Sequence, residues 1–123
     1  MKDYTELQVW QKARQLTNTV YSTTRAFPKD ELFALTNQMR RCAISIPSNL
    51  AEGCGRNHAR DSLQFFFVAR GSLYELKTQF YIALDQRYLT QTDFDNAVNQ
   101  LVECRRMLSG FITYFQSLPP SNR

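Results

Sequence analysis

Histidine is nearly absent from this chain: His58 stands alone, and the three cysteines, Cys42, Cys54 and Cys104, are widely spaced with no Cys-x-x-Cys pair. An odd, scattered set of thiols builds neither a disulfide framework nor a zinc cluster. Cys54 and His58 are four apart, as two zinc ligands can be, but no second pair completes a site. The residues therefore call for no metal and no cofactor. The same scarcity argues against catalysis, because no cysteine or carboxylate stands at a known nucleophile spacing from His58. A di-iron bundle needs Glu-x-x-His motifs, and the residue three before His58 is Gly55. Helical ribonucleases of the HEPN type need a histidine a few residues after an arginine, whereas His58 follows Arg56 by only two. None of the four glycines forms a phosphate-cradling loop of Walker type. A protein that is not an enzyme is expected.

Long apolar runs are missing too. Nothing approaches the roughly 18 consecutive apolar residues of a membrane helix, and the opening MKDYTELQVW carries charges where a signal peptide needs its apolar core. No membrane partner is implied, and a cytoplasmic protein is expected. There is no internal repeat or low-complexity segment. With 123 residues, the chain reads as one domain, 1–123, long enough to bury about two thirds of its unfolded surface. A net charge of +4 permits an anionic partner without demanding one.

What is present is helical periodicity, clearest in Leu35 to Arg56. Leu35, Met39, Cys42, Ile46 and Leu50 recur in threes and fours as a core-facing stripe. About 100° round the same helix, Gln38, Arg41, Ser45, Asn49 and Glu52 form a polar stripe that is not the alternating Lys and Glu of a merely solvated face. Pro47 removes the N–H that would bond the Ala43 carbonyl, which predicts a kink near Ser45 and Ile46. Gly53 and Gly55 read as the glycine end of the helix.

Before it, a first helix from about Thr5 to Ala26 should turn Trp10, Ala13, Thr17, Val20, Tyr21 and Thr24 inward, with Phe27-Pro28 ending it. Arg56 to Asp61 reads as a loop into a third helix, from Ala59 or Arg60 to Gln86. That helix shows two apolar lines, Leu63, Phe67, Tyr74 and Tyr81 against Phe65, Ala69, Leu76 and Ala83; one bundle core can take only one, so a second subunit is expected over the other. Gly71 in its middle suggests a close helix approach. Tyr88 to Gln91 form the next turn, and Thr92 with Asp95 reads as a capping box opening a fourth helix. Its stripe is Phe94, Ala97, Val98, Leu101, Cys104, Leu108, Phe111, Ile112 and Phe115, with Arg106 opposite. Leu118-Pro119-Pro120 stops it, leaving Ser121 to Arg123 as a frayed tail.

The run FPKDELFALTNQMRRCAISIPSNLAEG, Phe27 to Gly53, resembles the signature of the four-helix-bundle proteins encoded in intervening sequences of bacterial 23S ribosomal RNA genes, the S23 proteins. Further matches are LQVWQKA, VARGSLYEL and RMLSGFI, so the resemblance covers nearly the whole chain. It implies an all-α, antiparallel up-down four-helix bundle, a ring-shaped homo-oligomer, namely a pentamer, and a cytoplasmic protein of poorly defined role. Five such chains would carry about +20 in total. The accessory proteins of diversity-generating retroelements resemble this family in fold and bind RNA and a reverse transcriptase, which points to RNA by analogy.

The functional expectation falls on Arg40, Arg41, Arg56, Arg60, Arg70, Lys77, Arg105 and Arg106 as a nucleic-acid-binding surface; for any single arginine the competing reading is a solvated or paired charge. Tyr74 and Tyr81 could stack on bases, although aromatics at helical spacing are more often interface or core. The polar stripe, with Ser72 and Glu75 of the third helix, lines either a ligand groove or a hydrogen-bonded network locking two helices, and we favour the network. The leading expectation is a non-enzymatic RNA-binding oligomer; the alternative is a structural ring that holds a protein partner.

Overall fold

A computed structural model describes residues 3–119. Among them the regular structure is entirely helical, dominated by α1 (Gln8–Thr24), α2 (Asn37–Cys54), α3 (Ala59–Asp85) and α4 (Gln91–Gln116). Each long helix packs on two others, closing a four-helix bundle. Two cross-helix pairs fix the direction of α2 against α3: Ser45 lies beside Ser72, and Gly53 beside Phe66. Phe66 against Phe111 and Tyr81 against Phe94 do the same for α3 and α4. As one number rises its partner falls, so these neighbours are antiparallel.

The first helix is shorter than its periodicity suggests. Asp3 accepts from the Thr5 N–H and hydroxyl, holding a 3-10 turn at Tyr4–Glu6 before α1 begins. Its core line is Val9, Ala13, Leu16, Val20 and Thr24, while Trp10 and Tyr21 are half-buried. Both aromatics instead serve as platforms at the edge, under Arg14 and Arg40 respectively.

The entry to α2 is also built differently from a simple turn. A 3-10 turn at Lys29–Glu31 leads into a π-helical turn, Leu32–Thr36, in which Ala34 leaves helical angles at φ −123° and ψ −107°. Glu31 holds it from two sides, accepting from the Leu35 N–H at 3.3 Å and from the Tyr88 hydroxyl at 2.7 Å. Donation to that carboxylate raises the Tyr88 pKa. Beyond this irregularity α2 runs unbroken from Asn37 through Pro47 to Cys54. The Ala43 carbonyl, denied its bond by Pro47, receives the Thr17 hydroxyl of α1 at 3.1 Å, a proton shared with the Ala13 carbonyl at 2.9 Å.

Gly53 does not end the helix. It lies buried inside α2, where an added Cβ would overlap the buried Phe66 ring, so its role is to admit that ring. Gly55 caps the helix in the right-handed region, at φ −85°. The third helix resolves the ambiguity of Phe65 to Phe67. Its core line is Ser62, Phe66, Ala69, Leu73, Leu76, Phe80 and Ala83, which contains part of one expected line and none of the other. Phe65, Leu63 and Phe67 are half-buried at its edges, and Tyr74 and Tyr81 are exposed. Gly71 has open space at its Cβ direction, so no close helix approach occurs there. The turn after α3 is a Schellman closure, with Tyr88 N–H to Ala83 O and Arg87 N–H to Leu84 O, and Arg87 sits left-handed at φ 64°. Thr90, not Thr92, caps α4, its Oγ1 accepting from the Asp93 N–H at 3.1 Å. The α4 stripe is buried as its spacing predicts, with Val98 and Phe111 half-buried. The expected tail, Ser121 to Arg123, lies outside the described residues.

Candidate nucleic-acid interface

The eight basic residues divide by what surrounds them. Arg40 is half-buried; its Nε donates to Thr24 Oγ1 at 2.9 Å and its guanidinium lies 4.7 Å from the Tyr21 ring centroid, clamping α2 to α1. Arg56 pairs with Glu52 at 2.9 Å and covers Phe65 at 4.5 Å, which fastens the end of α2. Sixteen residues, about 24 Å of helix, separate these two arginines, so they do not share a patch. Arg41 is exposed on α2, and Arg60 is exposed at the start of α3.

Arg70 and Lys77 of α3 and Arg105 of α4 fall on the face between those two helices. Arg70, Tyr74, Lys77 and Tyr81 follow at i, i+4, i+7 and i+11, one side of a helix that alternates cation and aromatic ring. Tyr81 touches Phe94 of α4 edge to face at 4.9 Å, which identifies this as the α4 side. On α4, Arg105 shares a side with Phe94 and Val98, and the register set by Phe66 against Phe111 puts it level with Arg70. Arg106, about 100° further round α4 and opposite its core stripe, is exposed and lies off this face. Two ion pairs occur among the described residues, Lys12 with Glu103 and Arg56 with Glu52, and neither touches these four cations. Arg70 lies 5.0 Å over the Phe67 ring. Phe67 in turn lines an open cavity of about 680 Å³ at the end of the same groove, floored by Leu63, Phe115 and Leu118 and edged by His58 and Arg60. The cation and ring alternation was legible from spacing alone; the cavity was not, because it needs the fold to bring α3 and the end of α4 together.

The polar stripe separates into a bonded centre and exposed flanks. Ser45 Oγ donates to the Cys42 carbonyl at 2.9 Å and lies 2.5 Å from Ser72 Oγ, while the Cys42 thiol donates to the Ser72 carbonyl at 3.1 Å. Asn49 donates to the Ser45 carbonyl at 2.7 Å. Burial, followed by the Glu75 charge, pushes the Cys42 thiol up to about 12, so it stays a neutral donor. Gln38, Arg41, Glu52 and Glu75 are exposed; Glu52 holds Arg56, and Glu75 accepts from Gln79 at 3.5 Å.

No group of three His, Cys, Asp or Glu residues is placed to hold a metal ion among the described residues, and no helix there is long and apolar enough to cross a membrane. Residues 5–110 match the family model of the 23S rRNA-intervening sequence protein. The chain belongs to that family. Among solved structures, it is similar to a protein of unknown function from the S23 ribosomal protein family of Bacteroides thetaiotaomicron, with a TM-score of 0.77 and 18% identity over 85% of this chain and 97% of that one. At that identity the likeness carries the bundle fold of the 23S rRNA-intervening sequence proteins and nothing finer. No curated protein matches the chain.

Proposed function

We propose that this member of the 23S rRNA-intervening sequence family is a non-enzymatic, cytoplasmic, ring-shaped homo-oligomer, a pentamer, that binds RNA through the basic face between α3 and α4. The observation that carries this reading is the group Arg70, Lys77 and Arg105 on that face, without ion-pair partners among the described residues while other cations are engaged inside the fold. Unpaired cations on one face are what a phosphate backbone neutralises, with release of counterions. The ring is supported by the family resemblance and by Val68 and Ile82, 53% and 43% exposed on the remaining side of α3, a face suited to a neighbouring copy.

The test is an RNA-binding titration over a salt series. Affinity should fall steeply with salt. Arg70→Glu with Arg105→Glu should weaken binding across sequences and flatten the log–log slope by roughly one unit for each phosphate no longer neutralised. Absence of binding at low salt would overturn the RNA reading. Sedimentation should give about five times the 14.4 kDa chain mass, and a monomer at micromolar concentration would overturn the ring.

One observation favours the protein-partner reading. Phe33, on the π-helical turn, is 89% exposed, and Leu32 beside it is 45% exposed, a combination that suits an apolar anchor for another protein. Phe33→Ser should leave RNA binding unchanged and abolish any such docking.

A further inference from the structure

Resting on the RNA reading, we infer that the α3 and α4 face takes single-stranded RNA, with unpaired bases stacked on its tyrosines and one base held in the adjoining cavity. Three features lead there. Tyr74 and Tyr81 are 53% and 49% exposed, and the Tyr74 side chain has no ring or hydrogen-bond partner among the described residues, so its face is open to stacking. Each tyrosine follows a cation, Arg70 before Tyr74 and Lys77 before Tyr81, so a strand along α3 meets a phosphate contact and then a ring, twice, over about 16 Å of helix. At the end of this line Arg70 covers Phe67, whose ring lines the cavity of about 680 Å³, within the roughly 300–1,000 Å³ of ligand pockets. The apolar floor suits a flat base, and Arg60, on an edge it shares with His58 and the Asp61 carboxylate, is the cation that a phosphate beside that base would meet.

A duplex can use the cations but not the rings or the cavity, because its bases are stacked and paired; A-form RNA offers its partners chiefly backbone and shape. That difference separates single-strand binding from generic attraction of the same charges to any nucleic acid.

The experiment compares a fluorescein-labelled oligouridylate with a labelled RNA hairpin of equal length, by anisotropy over a salt series, for wild type, Tyr74→Ala and Tyr74→Phe. The Tyr74 side chain makes no ring contact or hydrogen bond among the described residues for the substitution to remove, and melting curves check that each variant is folded. The wild type should prefer the single strand. Tyr74→Ala should lose about tenfold in single-strand affinity with an unchanged salt slope and unchanged hairpin binding, whereas Tyr74→Phe, which keeps the ring, should bind as the wild type does. Equal binding of both RNAs, with Tyr74→Ala indistinguishable from wild type, would overturn the stacking inference and leave the electrostatic RNA reading standing. Binding of neither RNA at low salt would overturn both.

Discussion

Gly53→Ala should destabilise this protein although alanine is the better helix former. The position is buried within α2, and an ideal Cβ built there comes within 3.0 Å of three atoms of the Phe66 ring. That ring cannot step aside: it is fully buried and held by Phe111 at 5.0 Å and Phe115 at 4.9 Å between centroids. Overpacking of this kind costs typically about 1–3 kcal/mol, and an overlap this close belongs at the upper end. The gain in helix propensity offsets about 1 kcal/mol. A net loss of roughly 2 kcal/mol is expected, a drop in Tm on the order of 6–10 °C for a domain of this size. Gly71 and Gly110 supply the control, because each is helical and exposed with open space at its Cβ direction. Gly71→Ala and Gly110→Ala should each gain about 0.5–1 kcal/mol. Urea denaturation of the three variants measures the contrast. If Gly53→Ala is as stable as the two controls, Phe66 is not packed as described and the reasoning fails.

Thr17→Val should cost about 1–2 kcal/mol by leaving the Ala43 carbonyl without a donor, and the cost should shrink in a Pro47→Ala background, where the regained N–H can serve that carbonyl; additive costs would show that the two residues do not share it. Arg87→Gly should raise stability by about 1 kcal/mol in thermal melts, since φ 64° suits glycine, and no gain would argue against a left-handed residue there. Burial raises the Cys42 and Cys104 thiols from 9.0 to about 12, so the folded state resists an ionisation that the unfolded chain undergoes. Their contribution to stability is therefore present below pH 9 and lost as pH rises toward 12; Cys104→Ala should flatten the loss in alkaline denaturation curves, and an unchanged alkaline limb would refute it.

The bundle was legible because long helices announce themselves by period, and the α4 stripe fell where its spacing put it. Faces were harder. Phe65, Phe66 and Phe67 step round the helix by about 100° each, so sequence could not say which one enters the core; the answer lies in Gly53, thirteen residues earlier, whose missing side chain makes room for Phe66 alone. The consequence of Pro47 was hidden for the same reason. Its cost is read locally, but the hydroxyl that meets the orphaned carbonyl comes from Thr17, twenty-six residues away. The π-helical turn at Leu32–Thr36 is held by Tyr88, fifty-seven residues on from Glu31. Among the cations, no pattern in sequence separates Arg40, engaged by Thr24 and Tyr21, from Arg70 and Arg106, since partners decide that and partners are a property of the fold.

The polar contact between α2 and α3 yields to proton counting. A hydroxyl carries one proton. Ser45 donates its own to the Cys42 carbonyl, so the short contact with Ser72 must be Ser72 donating to Ser45, while the Cys42 thiol returns to the Ser72 carbonyl. The three bonds close a loop between the helices, and they predict unequal single variants. Ser72→Ala removes only the donor to a Ser45 oxygen that keeps its own bond, and should cost about 0.5 kcal/mol. Ser45→Ala strands the half-buried Ser72 hydroxyl and should cost about 1–2 kcal/mol. The double variant removes both hydroxyls, leaves neither unsatisfied, and should cost less than the sum. Urea denaturation of the four proteins measures the cycle, with RNA affinity read alongside. Loss of affinity in Ser45→Ala with no loss of stability would make this stripe a binding surface, and would move the candidate site from the α3 and α4 face to the groove between α2 and α3.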